Sequence, residues 1–156
     1  MTQITTFFTI EMIYLWFNLG VLPFWFILIF FPQSRVSKIF IISIFPIFIL
    51  SLGYAYLLYI AYLDGFDFLQ NFKIYLGFKE LFNLFENQYF LISFWIHFLA
   101  INLFCGGWIV KDSQIFNMNK FIVSLPLITT YLIGPIGVML YWIIRLFYAK
   151  RISLYD

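Results

Sequence analysis

WIHFLAINLFCGGWIV, residues 95–110, decides how the chain is read. It is apolar enough to lie inside a bilayer, yet it holds the only histidine (His97), the only cysteine (Cys105), the amide Asn102 and the pair Gly106-Gly107. Hydrocarbon offers no water to satisfy polar groups, so polar residues gathered in one span mark a functional place by default. A second reading stands beside it: His97 and Asn102 as hydrogen-bonding glue between neighbouring helices. The stretch points to a place before it points to a chemistry.

The rest of the chain fits a membrane setting. Hydrophobic residues make up 64% of 156 and charged residues 10%; with a mean hydropathy of +0.97, the chain has too little polar surface for a soluble domain of this size. Apolar residues form long runs rather than amphipathic stripes, the pattern of spanning helices. The sequence predicts an all-α integral membrane protein, a multi-pass bundle of four transmembrane helices in one domain over 1–156. The spans fall at about 7–31, 39–63, 88–110 and 121–148, with an interfacial amphipathic helix at about 66–87, between helices 2 and 3. A formal charge of +2 and the lack of a basic run exclude nucleic acid as partner. One cysteine excludes an internal disulfide, and a lone histidine argues against a metal site. No nucleotide loop or nucleophile motif is present, and no cofactor is expected.

Chemistry-bearing residues outside the opening stretch are few. In the first span, Glu11, Tyr14 and Asn18 share one helical face. Glu11 either faces the interior or is solvated at the interface; Asn18 lies deeper. Pro23 predicts a loosened turn, because it has no N–H for the carbonyl of Leu19. In the third span Trp95, Asn102 and Cys105 share one face, while His97, Phe104 and Trp108 share another. In the fourth, Ile133 to Gly137 with Pro135 predicts a bent or opened helix. Arg145 is expected to snorkel to headgroups, with pairing to Glu11 as the other reading. The segment FKELFNLF (78–85) reads as a helix lying on the membrane surface, or as a lid over a pocket.

Three segments together carry a resemblance: FNLGVLPFWFILIFFP (17–32), FWIHFLAINLFCGGWIV (94–110) and GPIGVMLYWIIRL (134–146). Their order and character resemble the small four-span membrane proteins named for abscisic-acid deficiency, the neoxanthin-synthase-type family. The family pattern falls on Asn18, Pro23, Trp95, His97, Phe104, Gly106, Trp108 and Gly134-Pro135. Two positions depart from it: Asn102, where the family tends to carry Asp, and Gly107, where it tends to carry a basic residue. In plants the family is required for turning violaxanthin, an epoxy-carotenoid, into neoxanthin. The resemblance therefore implies a carotenoid or related isoprenoid ligand in an intramembrane cavity, and an isomerase-type activity.

On that reading His97 and Glu11 are the proton-transfer residues, since opening an epoxide to an allene needs one acid and one base. Asn18, Trp95, Asn102, Phe104, Trp108 and Pro135 are the expected ligand-binding residues. Asn102 can donate and accept hydrogen bonds but cannot titrate. The alternative is a non-catalytic pigment- or lipid-binding subunit of a larger membrane complex, for example a photosynthetic one. Partners on either reading are the lipid bilayer, an isoprenoid, and a membrane protein or second copy. A small transporter is less favoured, for want of an internal repeat and of intramembrane charges.

Overall fold

The computed structural model describes residues 9–41 and 45–150. Residues 7–8 of the expected first span, 42–44 of the expected second and the basic Arg151 lie outside the described residues. Among the described residues five α-helices follow in order: α1 Ile10–Phe30, α2 Phe45–Leu63, α3 Phe78–Phe85, α4 Gln88–Ile115 and α5 Lys120–Ala149. A π-helical turn, Ser37–Ile41, precedes α2, and a 3-10 helix, Phe68–Tyr75, precedes α3. No strand occurs among the described residues.

Four of the helices (α1, α2, α4 and α5) are long and apolar enough to cross a membrane. Only 22% of the most apolar window of α1, and the same share of α2, is buried, against 44% for α4. Side chains such as Phe26, Phe30 and Phe147 stand more than half exposed. Faces this apolar need a non-aqueous surrounding. α4, which carries the opening stretch, is the most enclosed of the four.

Local chemistry explains where the helices begin and end. Pro46 lies near the start of α2 as described, a position where proline is tolerated. The chain leaves α2 through Gly65, whose φ of +80° is left-handed, while Phe66 N–H closes onto the carbonyl of Ala61 at 2.8 Å. Glycine enters that region without steric cost, so it ends helices in this way. Asn87 starts α4 by accepting hydrogen bonds on Oδ1 from the N–H groups of Tyr89 and Phe90. Asn119 starts α5 the same way, accepting from Phe121 N–H. Such caps satisfy donors that the first helical turn leaves unpaired.

Two expectations about proline separate here. α1 runs unbroken through Pro23. α5 breaks at Ile133 (φ −141°, ψ 55°), two residues before Pro135. Pro135 has no N–H for the carbonyl of Tyr131, and its ring crowds that turn. α4 also continues past the expected end near Val110, reaching Ile115. Lys111 and Asp112 are therefore helical, and Asp112 is buried.

The chain divides into two compact units. One comprises Met1–Leu19 and Phe48–Ala100; the other comprises Gly20–Ile47 and Ile101–Asp156. In the first, Ile13, Leu57, Ile92 and Ile96 form a core, with Ile10, Phe17, Tyr54 and Trp95 packed around it. In the second, the buried side chains include Trp25, Leu28, Leu103, Ile109, Leu127 and Tyr141. There the end of α1 is tied down by side chains: Ser124 Oγ donates to Ile29 O at 2.9 Å and Gln114 Nε2 donates to Pro32 O at 2.6 Å. These bonds satisfy carbonyls at and beyond the helix end that no later turn reaches.

Candidate functional site

His97 lies on the wall of a cavity of about 310 Å³ in the first unit. Residues four apart on a helix stack on one face, and Tyr89, Ser93 and His97 line this cavity together from α4. The eight steps from Tyr89 to His97 rise about 12 Å, so the cavity has a polar ladder along one wall. The facing walls are apolar and aromatic, with Tyr54 and Leu58 from α2 and Phe66, Phe68 and Ile74 from the segment that follows it. At the start of the ladder the Tyr89 hydroxyl donates a hydrogen bond to the carboxylate of Asp64. Asp64 stands there because α2 ends one residue earlier and turns through Gly65. His97 is exposed at the rim, whereas Ser93 is buried.

Asn18 and Trp95 meet in the same unit. The Trp95 indole N–H donates to Asn18 Oδ1 at 3.3 Å, and Asn18 Nδ2 donates to the Tyr14 carbonyl at 2.6 Å. The Trp95 ring lies 6.0 Å from that of Tyr14 and stacks on Phe98 at 5.4 Å. Asn18 thus fixes the orientation of an aromatic shelf. Glu11 is exposed in the first turn of α1, where a negative charge suits the helix dipole. It lines a second cavity, of about 340 Å³, together with Tyr14 and Trp95.

The polar residues of the second unit are used differently. Asp112, Tyr141 and Arg145 are all buried, Arg145 to 1% exposure. Asp112 Oδ2 accepts from Arg145 Nε and from the Tyr141 hydroxyl, each at 2.7 Å. The guanidinium also sits 5.0 Å from the ring centres of Phe116 and Trp142. Arg145 therefore does not snorkel, nor does it need Glu11: a carboxylate on α4 neutralises it inside the protein. The expectation failed because Asp112 reads as a loop residue until the helix is known to continue to Ile115.

The remaining predicted site residues fall in this second unit. Asn102 is buried, and its amide lies so close to Gly134 that a side chain there would overlap it. Asn102 Nδ2 has no hydrogen-bond partner among the described residues. Pro135, the next residue, is exposed. Phe104 is exposed, while Trp108 packs edge-on to Tyr141 at 5.5 Å and stacks on Trp142 at 6.1 Å. Gly106 admits Trp25 closely: a Cβ on it would lie 2.8 Å from Trp25 Cη2.

The structure thus brings Asn18 to Trp95, places Glu11 beside Trp95, and puts His97 with Tyr89 and Ser93. It sets Asn102 against the break in α5. Sequence reasoning missed Tyr89, Ser93, Asp64, Asp112 and Tyr141. The four-residue spacing of Tyr89, Ser93 and His97 was a usable signal; the pairing of Asp112 with Arg145 had none, because 33 residues separate them. No group of three or more His, Cys, Asp or Glu that could hold a metal ion occurs among the described residues.

Four helices of spanning length and hydropathy, with apolar faces left outward, are consistent with a multi-pass membrane protein. The family model described as ABA DEFICIENT 4-like matches residues 12–141, and the chain belongs to that family. The match covers the ladder on α4, the shelf of Asn18 and Trp95, and the break in α5. Comparisons with curated proteins and with solved structures give no match.

Proposed function

We propose that the protein is a multi-pass membrane protein that binds a carotenoid or related isoprenoid in the His97 cavity and isomerises it there. The observation that carries this reading is the cavity wall: a polar ladder on α4 facing apolar and aromatic side chains. Pockets for small ligands run from about 300 to 1,000 Å³. At about 310 Å³ this one suits one end of a long isoprenoid, with the chain continuing into the bilayer. Aromatic walls give broad contact to rings and polyenes. A surface position for the amphipathic α3 segment belongs to the same reading and keeps the cavity at the membrane boundary.

The chemistry asked of the site is proton transfer. An isomerisation removes a proton at one atom of the ligand and returns one at another. Histidine carries out both steps near neutral pH, because its unperturbed pKa is about 6.5. His97 is the group of this reading that touches the ligand, and Tyr89, bonded to Asp64, is a second hydroxyl on the same wall. Glu11 lines the other cavity, which makes it the weaker candidate for catalysis.

The test is turnover of a bound carotenoid by the purified chain and by His97→Gln. Gln keeps hydrogen-bonding capacity but cannot titrate. Turnover should fall by roughly 10²-fold or more while ligand still binds. Unchanged turnover with retained ligand would remove His97 from the reaction. Binding without turnover in the wild type would favour the non-catalytic pigment- or lipid-binding reading, which the exposure of His97 at the rim also suits.

A further inference from the structure

At the end of the second unit where α1 stops and α5 begins, two hydrogen bonds stitch the turns together. Gln114 Nε2 donates to Pro32 O at 2.6 Å, and Gln33 Nε2 donates to Met118 O at 3.3 Å. Four cations gather on these turns. Arg35 and Lys38 follow Gln33, Lys120 begins α5, and Lys111 lies one helical turn before Ile115 on the same face of α4. All four side chains are exposed. Asp112 is the one carboxylate among the described residues of this unit, and it is buried against Arg145. Its charge is used inside, so among the described residues no carboxylate of the unit is left for the four outside. The first unit is different: its exposed Lys73 and Lys79 stand along the chain among Asp67, Glu80 and Glu86.

Apolar side chains stand beside the four cations. Phe31, Val36, Ile39, Ile115 and Phe121 are all exposed, and Lys120 Nζ lies 5.2 Å from the centre of the Phe121 ring. Lysine and arginine lay their methylene stems along hydrocarbon and carry the charge out to the headgroups. A soluble acidic partner would match the charge and leave the apolar side chains in want of cover. An anionic phospholipid matches both, and cations near a membrane surface are drawn to such lipids.

We propose that this end of the second unit holds anionic phospholipids, their phosphates against Arg35, Lys38, Lys111 and Lys120 and their acyl chains against the apolar side chains beside them. The surface anchors the unit to a leaflet that carries anionic lipid. It is independent of whatever ligand the His97 cavity takes.

The experiment uses the full chain in a neutral detergent, with retained lipid counted by native mass spectrometry. The probes are phosphatidylglycerol, phosphatidylcholine of the same acyl chains, and glycerol phosphate without chains. The wild type should retain phosphatidylglycerol at least about fivefold over phosphatidylcholine, the factor that one cation near a membrane surface implies. Raising the ionic strength should shrink that preference, because exposed charges are screened. Replacing all four cations by Gln should bring the two lipids within about twofold of each other. Lys73→Gln with Lys79→Gln should leave the preference of the wild type in place. If the fourfold variant fails to fold, the salt series on the wild type decides alone. Equal retention of both lipids by the wild type, a preference that salt or the fourfold variant does not reduce, or the same loss from the Lys73 and Lys79 pair would overturn the proposal. Glycerol phosphate displacing phosphatidylglycerol at equal concentration would overturn it too, since the acyl chains would then play no part.

Discussion

The two units treat polar residues in opposite ways. In the second unit Asp112, Tyr141 and Arg145 turn inward and satisfy one another, and Ser124 and Gln114 tie down backbone carbonyls. In the first, Glu11, Tyr89, Ser93 and His97 stand on cavity walls. Polar atoms that are paired inside a protein hold it together; polar atoms on a cavity wall are left to meet something else. On the proposed reading, scaffold work falls to the second unit and binding work to the first. The exceptions are Asn102 Nδ2 in the second and, in the first, the Asn18–Trp95 and Tyr89–Asp64 bonds.

The largest effect should come from breaking the buried ion pair. Arg145→Met leaves the Asp112 carboxylate buried with Tyr141 as its partner among the described residues, and removing one member of such a pair costs about 3–5 kcal/mol. Asp112→Ala takes the neutralising carboxylate away from the buried guanidinium and should also destabilise the fold. The double variant Asp112→Leu with Arg145→Met should recover much of the loss, since an apolar replacement of both charges is often neutral. Reversible unfolding in mixed detergent measures all three. If the single variants unfold like the wild type, the second unit is not held by its polar core and the contrast fails.

A smaller loss is expected at the break in α5. Gly134→Val places methyl groups where the Asn102 amide now lies. Overpacking of this kind costs about 1–3 kcal/mol. The same substitution should leave ligand affinity in the first unit unchanged, which a binding isotherm can check beside the unfolding curve. Loss of binding with stability intact would mean that the Asn102 region shares in recognition.

These two regions differed in how far the sequence could expose them. The long apolar runs declare four spanning helices, because length and hydropathy are local properties. Gly134-Pro135 declares a break, because proline's missing donor acts within one turn. Pro23 has the same chemistry, yet α1 stays helical, so a proline predicts strain but not its relief. His97 and Trp95 were legible as polar or amphipathic residues in an apolar span. Their neighbours were not. Asp64 reaches Tyr89 across 25 positions and Asp112 reaches Arg145 across 33, and pairings at that range depend on how the helices pack. Arg145 was therefore misjudged: snorkelling is a rule for an unpartnered cation, and its partner lay hidden at what seemed to be the end of a span.

The smallest effect on stability, and the sharpest on the contrast, belongs to Asn18→Leu. The bond from Trp95 to Asn18 is 3.3 Å long, and neutral hydrogen bonds contribute about 0.5–1.5 kcal/mol net. Leu also restores apolar volume, so the midpoint of unfolding should move little. What should change is the freedom of the indole. With its N–H unpaired, Trp95 no longer has a fixed face beside Tyr14, and a ligand that needs that face must order it on binding. A double-mutant cycle with Trp95→Phe separates the two roles. If Asn18 acts only by holding the indole, then once Phe has replaced it, Asn18→Leu should cause no further loss of ligand affinity. Additive losses would show that Asn18 contributes by a separate route, and the first unit would then have a structural polar residue of the kind that distinguishes the second.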